Sequence, residues 1–230
     1  MKTYLELEEI ELLESATGCL RDRLLIRLLS RLGCCVSEAL AITTNDIDYE
    51  QGTIIILHLK TRSKLLCPSC KARLARKHRF CPECVEEIRG VISRENMRRR
   101  QRILPVDKNI LALLKEYVNR NKAMDTEGHQ SIINISRHRA WQIVRECASR
   151  AGLAKLVNPE TGRLKVVSPH RLRDAFSVHA MKLDASSDGL RLLQEHLGHA
   201  SFNTTAKYRK IAGDEHREWY NRLWHDLEEH

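Results

Sequence analysis

No run of this 230-residue sequence is apolar enough to span a bilayer, and no basic-then-apolar leader opens it; Met1 to Ile10 is acidic and amphipathic. Those two absences argue against a membrane-embedded or secreted protein, and the expectation is an intracellular, cytoplasmic one. Acidic residues are also in short supply. Asp plus Glu number 30 against 39 Lys plus Arg, leaving a formal net charge of +9 and a pI near 9.3. Such an excess points to a polyanionic partner, nucleic acid before a membrane surface. Eight cysteines in a reducing compartment argue for thiols or metal ligands rather than disulfides. The length suits one large domain, or one domain with an insert, and a sizeable core.

Periodicity gives the organisation. Glu8 to Ser15 and Arg21 to Leu32 read as helices, the second with Leu24, Leu25, Leu28, Leu29 and Leu32 on an apolar face and Gly33 at its end. Ser37 to Ala41 makes a short helical turn. Thr53 to Leu59, opened by Gly52, is β-branched and strand-like, and strand character returns at Arg102 to Val106, where Pro105 suits an edge. Helices are expected over Lys108–Asn119, with Ile110, Leu111, Leu114 and Val118 inward, over Arg139–Ala151, and over a tail, Asp214–Glu229, bearing Trp219, Tyr220 and Trp224. Asn158 to Gly162 reads as a turn. The fold class is mainly α with a small antiparallel sheet (α+β).

The most informative stretch runs from Ser168 to Tyr208. Ser168 suits an N-cap and Pro169 the first helical position. His170 and Arg173, three apart, then share the first turn of a positive helix end, a place for a phosphate. Leu190 to Leu197 is periodic and ends at Gly198, a C-cap; His199 follows, and Ser201 can cap a last helix that carries Tyr208. His196 reads as a surface histidine.

His170-x-x-Arg173, then Leu197-Gly198-His199, then Tyr208 nine residues on with Thr204 and Thr205 before it, resembles the catalytic core of the tyrosine recombinase (phage integrase) family. The resemblance covers roughly residues 4–65 and 92–213 and implies helices around a three-stranded sheet. It implies that Tyr208 attacks a DNA phosphodiester to form a 3′-phosphotyrosine bond, with Arg173 holding the phosphate. It assigns His170 acid/base work and His199 a hydrogen bond to the scissile phosphate, and it requires no metal or other cofactor for catalysis. It further implies a lysine general acid on the hairpin after Gly52, with Lys60 preferred and Lys64 the alternative.

One position departs from that pattern. The family's first arginine falls within Gly33-Cys34-Cys35-Val36-Ser37-Glu38-Ala39-Leu40, where the flanking frame is intact and the arginine position is Cys35. A thiol is neutral at its usual pKa and too short to fork around a phosphate. Glu38 is expected to buttress the site. The readings are therefore a DNA integrase or recombinase of mobile-element origin, impaired or not by Cys35, or a non-catalytic, degenerate DNA-binding protein. A nicking and relaxing enzyme of the type IB topoisomerase kind is a third.

Cys67-Pro68-Ser69-Cys70 and Cys81-Pro82-Glu83-Cys84 form a second departure, two Cys-Pro-x-Cys knuckles resembling a zinc ribbon, with structural zinc as the expected cofactor. The remaining cysteines, Cys19, Cys34, Cys35 and Cys147, read as partly buried thiols. The domain expectation is a catalytic domain over 1–230 with a zinc-binding insert at 66–91 and no N-terminal core-binding domain. An insert of that size cannot bury its own core, so the metal would supply its folding energy. Arg76 and Lys77 between the knuckles, and Arg98, Arg99 and Arg100 after them in a run that includes Arg102, are candidate contacts to double-stranded DNA. The aromatic tail helix either docks on a neighbouring protomer or packs on its own domain.

Overall fold

The computed structural model describes residues 3–57, 64–75, 78–88, 92–94, 101–121, 130–153, 155–158, 161–199 and 201–212. They fall into two compact units, residues 1–56 with 102–230 and residues 57–101.

In the larger unit α1 (Leu7–Ser15) and α2 (Leu20–Arg31) form where the leucine period requires them, and Leu24, Leu25, Leu28 and Leu29 of α2 are buried. Gly33 ends α2 at φ +56°, a left-handed value, and a Cβ there would meet the Phe176 ring at 2.4 Å. Two constraints thus demand glycine, and they bring the chain close against the helix that carries Arg173. α3 (Val36–Ala39) is a single turn in which Cys35 and Glu38 form a reciprocal cap. β1 (Ile47–Asp48), β2 (Thr53–Leu57) and β6 (Gln101–Pro105) make the expected three-stranded sheet in the order β1-β2-β6, which leaves Pro105 on an edge strand.

α4 (Lys108–Arg120) starts on Asp107, whose carboxylate accepts from the backbone of Asn109 and Ile110. Its buried residues are Ile110, Leu113 and Leu114, so Leu113 replaces the expected Leu111 and Val118, which are half-buried. α5 (Arg137–Arg150) begins two residues before expectation because the Ser136 hydroxyl caps it by accepting from Arg139 N–H. β7 (Leu156–Val157) and β8 (Leu164–Lys165) pair antiparallel, and Gly162 N–H donates to the Asn158 carbonyl at 2.8 Å between them; residues 159–160 of the expected turn lie outside the described residues. α6 (Pro169–Leu183), α7 (Ser187–Leu197) and α8 (Phe202–Ala212) close the unit, with α6 packed on α2, α7 and α8. Val178, Met181, Leu190, Leu193, Leu197 and Tyr208 form an apolar cluster among the last three helices.

The smaller unit is a sheet of order β4-β3-β5, built from β3 (Lys64–Leu66), β4 (Arg73–Leu74) and β5 (Ile92–Arg94), and it carries both Cys-Pro-x-Cys turns. Its buried side chains among the described residues are Cys67, Leu74 and Cys81, with Ala72 and Ile88 packed against them.

Candidate active site

α6 has Pro169 in its first turn as expected, but the Ser168 side chain makes no capping bond; its carbonyl receives the Arg171 N–H at 2.8 Å. His170 and Arg173 do not share a face in the expected sense. The His170 side chain is 60% exposed and that of Arg173 only 6%. About 100° per residue leaves positions three apart offset by roughly 60°, enough to put one at the rim and the other underneath.

Arg173 lies at the joint between helices. Its Nη1 donates to the Gly33 carbonyl and its Nη2 to the Leu197 carbonyl, each at 2.8 Å. Both carbonyls lie at helix C-terminal ends, where partial negative charge favours a cation. Glu38, buried beside it, accepts from the Cys35 N–H at 2.8 Å and from Arg102 Nη2 at 2.9 Å, and stands 3.8 Å from Arg173 Nη1. Glu38 thus fastens the Cys35 turn to two guanidiniums, the buttressing geometry expected of it. Cys34 is fully buried, and burial followed by the Glu38 charge pushes its thiol up to about 12, as befits an inert core cysteine. Cys19, by contrast with the sequence reading, is exposed.

Tyr208 is 1% exposed, and its hydroxyl donates to Asp174 Oδ1 at 2.8 Å. The other Asp174 oxygen pairs with Arg171 Nη1 at 2.9 Å, while His170 Nε2 lies 3.8 Å from Oδ1. The Tyr208 ring stacks on His199 at 6.3 Å between centroids, and Lys207 Nζ lies 4.8 Å from its centroid. His199 Nδ1 meets the Thr205 hydroxyl at 2.8 Å. Ser186 and Gly198 supply the reason that His199 arrives here. Ser186 caps α7 by accepting from Gly189 N–H, and Gly198 closes it at φ +67°.

His170, Arg173, His199 and Tyr208 therefore converge, but in this structure they surround Asp174 and helix ends rather than an open phosphate pocket. Burial, and then the Asp174 charge, push the Tyr208 phenol well above the ordinary value. A phenol raised in the folded state ionises first in the unfolded chain. Its contribution to stability is present below the ordinary tyrosine value of about 10 and is lost as pH rises beyond it. Wild-type protein should lose denaturant resistance above that pH faster than Tyr208→Phe, as measured by urea midpoints from pH 8 to 11. Parallel losses in the two proteins would overturn the link.

Sequence reasoning misses three residues. Asp174 lies one helical turn after His170, a spacing that signals contact. Arg102 belongs by sequence to a basic run, yet it lies two residues before buried Leu104 on β6 and shares its face. His196, expected at the surface, is half-buried, donates from Nε2 to the Leu32 carbonyl at 3.0 Å and stacks on Phe176 at 4.9 Å. It lies three residues past buried Leu193, so the helical period carries it inward. Lys60, Arg76, Lys77, Arg98, Arg99, Arg100 and the tail 214–229 lie outside the described residues; Lys64 begins β3.

In the smaller unit the sulfurs of Cys67, Cys70, Cys81 and Cys84 lie within 4.8 Å of one another, with Cys67–Cys84 at 3.7 Å and Cys70–Cys81 at 3.4 Å. Four thiolates at about 2.3 Å around a tetrahedral ion are roughly 3.8 Å apart, so the donor set and spacing fit zinc. The two turns are copies. Lys71 N–H donates to Cys67 O and Val85 N–H to Cys81 O, each at 3.0 Å, and both Lys71 and Val85 adopt φ of 60°. Backbone N–H groups of Cys84 and then Glu83 point at the Cys81 sulfur and lower its thiol to about 7.

Comparison with known proteins gives the family and the fold. The phage integrase family profile matches residues 85–215, more than half of the chain. The chain belongs to the phage integrase family. It is 28% identical over 193 residues to the tyrosine recombinase XerD of Neisseria meningitidis serogroup B, covering 84% of this chain and 51% of that one. It is 26% identical over 216 residues to the tyrosine recombinase XerC of Roseiflexus sp. RS-1, covering 90% and 52%. The chain spans about half the length of these curated relatives. Its fold is that of the XerA recombinase, with a TM-score of 0.61 at 20% identity over 97% of this chain and 64% of that one. It is also that of the catalytic domain of bacteriophage HP1 integrase, with a TM-score of 0.52 at 15% identity over 93% and 90%.

Among the described residues no helix is long and apolar enough to cross a membrane.

Proposed function

We propose that this chain cuts and rejoins double-stranded DNA through Tyr208. The Tyr208 Oη–phosphorus bond forms as the bond to the 5′-oxygen breaks; the phenolic proton passes to a base, and the departing oxygen takes a proton from an acid. His170 serves proton transfer, Arg173 and His199 hold the non-bridging oxygens, and Lys60, or Lys64 in its place, protonates the leaving group. The phosphotyrosine bond conserves the energy of the broken phosphodiester, so rejoining needs no ATP. Zinc held by Cys67, Cys70, Cys81 and Cys84 is structural. Arg76, Lys77, Arg98, Arg99 and Arg100 contact the DNA backbone, and the 214–229 segment docks protomers on DNA. The working place of the protein is the cell interior, on DNA.

The observation that carries this reading is the gathering of His170, Arg173, His199 and Tyr208 among three consecutive helices of a family fold. Tyr208 has to leave Asp174 to react. Trapping on a nicked suicide substrate bearing the element's own ends tests it: a covalent protein–DNA adduct is expected, and its absence at any protein concentration would overturn the catalytic assignment. Cys35 favours a second reading, a DNA-binding protein with a silenced site. Cys35→Arg would add the missing phosphate donor, worth on the order of 10²–10³ in rate where such a donor is lacking. A gain of that size over a barely active wild type supports the silenced reading; no gain means that another group already holds the phosphate.

A further inference from the structure

We propose that Arg102 is that other group, the second guanidinium on the scissile phosphate in place of the arginine absent at position 35. The inference rests on the DNA-cleaving reading above.

The Arg102 side chain is 9% exposed, and one nitrogen, Nη2, is held by Glu38 at 2.9 Å. Nε and Nη1 have no hydrogen-bond partner among the described residues. Two donors on a buried cation are seldom left unpaired, because desolvation without a partner is costly. The charge balance is uneven in the same sense. Arg102 and Arg173, both buried, share the one carboxylate of Glu38, leaving an excess positive charge beside the Cys35 turn. Nε and Nη1 lie on opposite sides of the guanidinium plane's axis, so one anion cannot bridge them; an anionic oxygen on Nη1 would pair the donor nearer Gly198 and offset the charge, and a phosphodiester offers such an oxygen.

The location also fits. A Cβ at Gly198 would stand 2.5 Å from Arg102 Nη1, so the guanidinium lies directly beneath the Gly198 backbone, next in sequence to His199. The neighbouring carbonyl, Leu197, is the one that holds Arg173. Arg102, Arg173 and His199 thus meet at one corner, and Glu38 joins Arg102 to the backbone N–H of Cys35, the position whose side chain is too short to reach a phosphate. With Tyr208 seated on Asp174, Gly198 covers the guanidinium. Nη1 receives a phosphate oxygen once Tyr208 leaves and the Gly198–His199 corner lifts.

Two readouts on the full chain test this. Orthovanadate, a phosphate-like anion, should raise the melting temperature of wild type, and Arg102→Met should lose most of that rise while the exposed-site control Arg163→Met keeps it. An equal rise in Arg102→Met, or none in wild type, overturns the proposal whether or not the protein cleaves DNA. On suicide DNA, Arg102→Met should lower adduct formation by about 10²–10³. On the same DNA with a neutral methylphosphonate at the scissile position, where no second anionic oxygen needs a partner, the loss should shrink to less than tenfold. Equal losses on both substrates would mark Arg102 as a scaffold for Glu38 only. Arg102→Lys, which keeps the charge without the fork, carries both tests if the methionine variant fails to fold. Absence of adduct from wild type would overturn the cleavage reading alone, since the vanadate shift still decides Arg102.

Discussion

Tyr208→Phe should form no covalent adduct with DNA while its non-covalent affinity stays within about twofold of wild type. The substitution removes one oxygen and nothing else. That oxygen is the only atom in the constellation that would bond to phosphorus, so adduct formation has no residual route, whereas removing a phosphate donor leaves a slow one. The fold should tolerate the change, because Asp174 keeps Arg171 at 2.9 Å and the phenyl ring keeps its place in the apolar cluster of α6, α7 and α8. The stability loss should be about 1–3 kcal/mol, that of a buried hydrogen bond whose acceptor retains another partner. Denaturing gels of protein trapped on a nicked substrate, with band shifts for affinity, make the measurement. Adduct persisting in this variant would require a different nucleophile. A large fall in affinity would mean that the hydroxyl binds DNA rather than attacks it.

Much of this arrangement is legible in the sequence, and what is not has definite physical reasons. α2 and α7 are readable because leucines at helical spacing end at Gly33 and Gly198, each with a positive φ. Arg173, His199 and Tyr208 are readable as members of a set, since their spacing along three helices fixes where each emerges. Their state is not. That Tyr208 lies against Asp174, and that Arg173 clamps the ends of α2 and α7, depends on how α6 meets α2 and α8, which no local period encodes. Arg102 shows a different failure. A run of arginines registers as charge, while the direction of each side chain is set by strand alternation, and Leu104 two residues later holds that signal. The β7–β8 hairpin escapes because two-residue strands have no measurable period. The cysteine site is the most legible of all, since a doubled Cys-Pro-x-Cys turn specifies its own geometry.

Removing zinc should unfold residues 64–94 while leaving the helical unit folded. The apolar core of the smaller unit among the described residues consists of Cys67, Leu74 and Cys81 with Ala72 and Ile88 beside them, and two of the three buried residues belong to the four-cysteine cluster. Such a core cannot offset the ordering of some thirty residues, at about 1–2 kcal/mol of backbone entropy each. The turns add strain, for Val85 is β-branched and sits at φ 60°, a conformation such residues rarely adopt. In small zinc domains the metal's binding free energy is itself folding free energy, and it supplies what this core lacks. One zinc per chain should be found by elemental analysis, and Cys70→Ser with Cys84→Ser should abolish it. Hydrogen exchange should then become fast in β3, β4 and β5 after chelation and remain slow in α2, whose leucines lie in the separate core of the larger unit. Protection of the strands that survives chelation would overturn the metal assignment. Because the knuckles flank Arg76 and Lys77, the same treatment should weaken DNA binding and flatten its salt dependence, by a slope of roughly one for each phosphate no longer neutralised. An unchanged slope would confine the insert to a structural role and place the electrostatic grip on DNA in the helical unit.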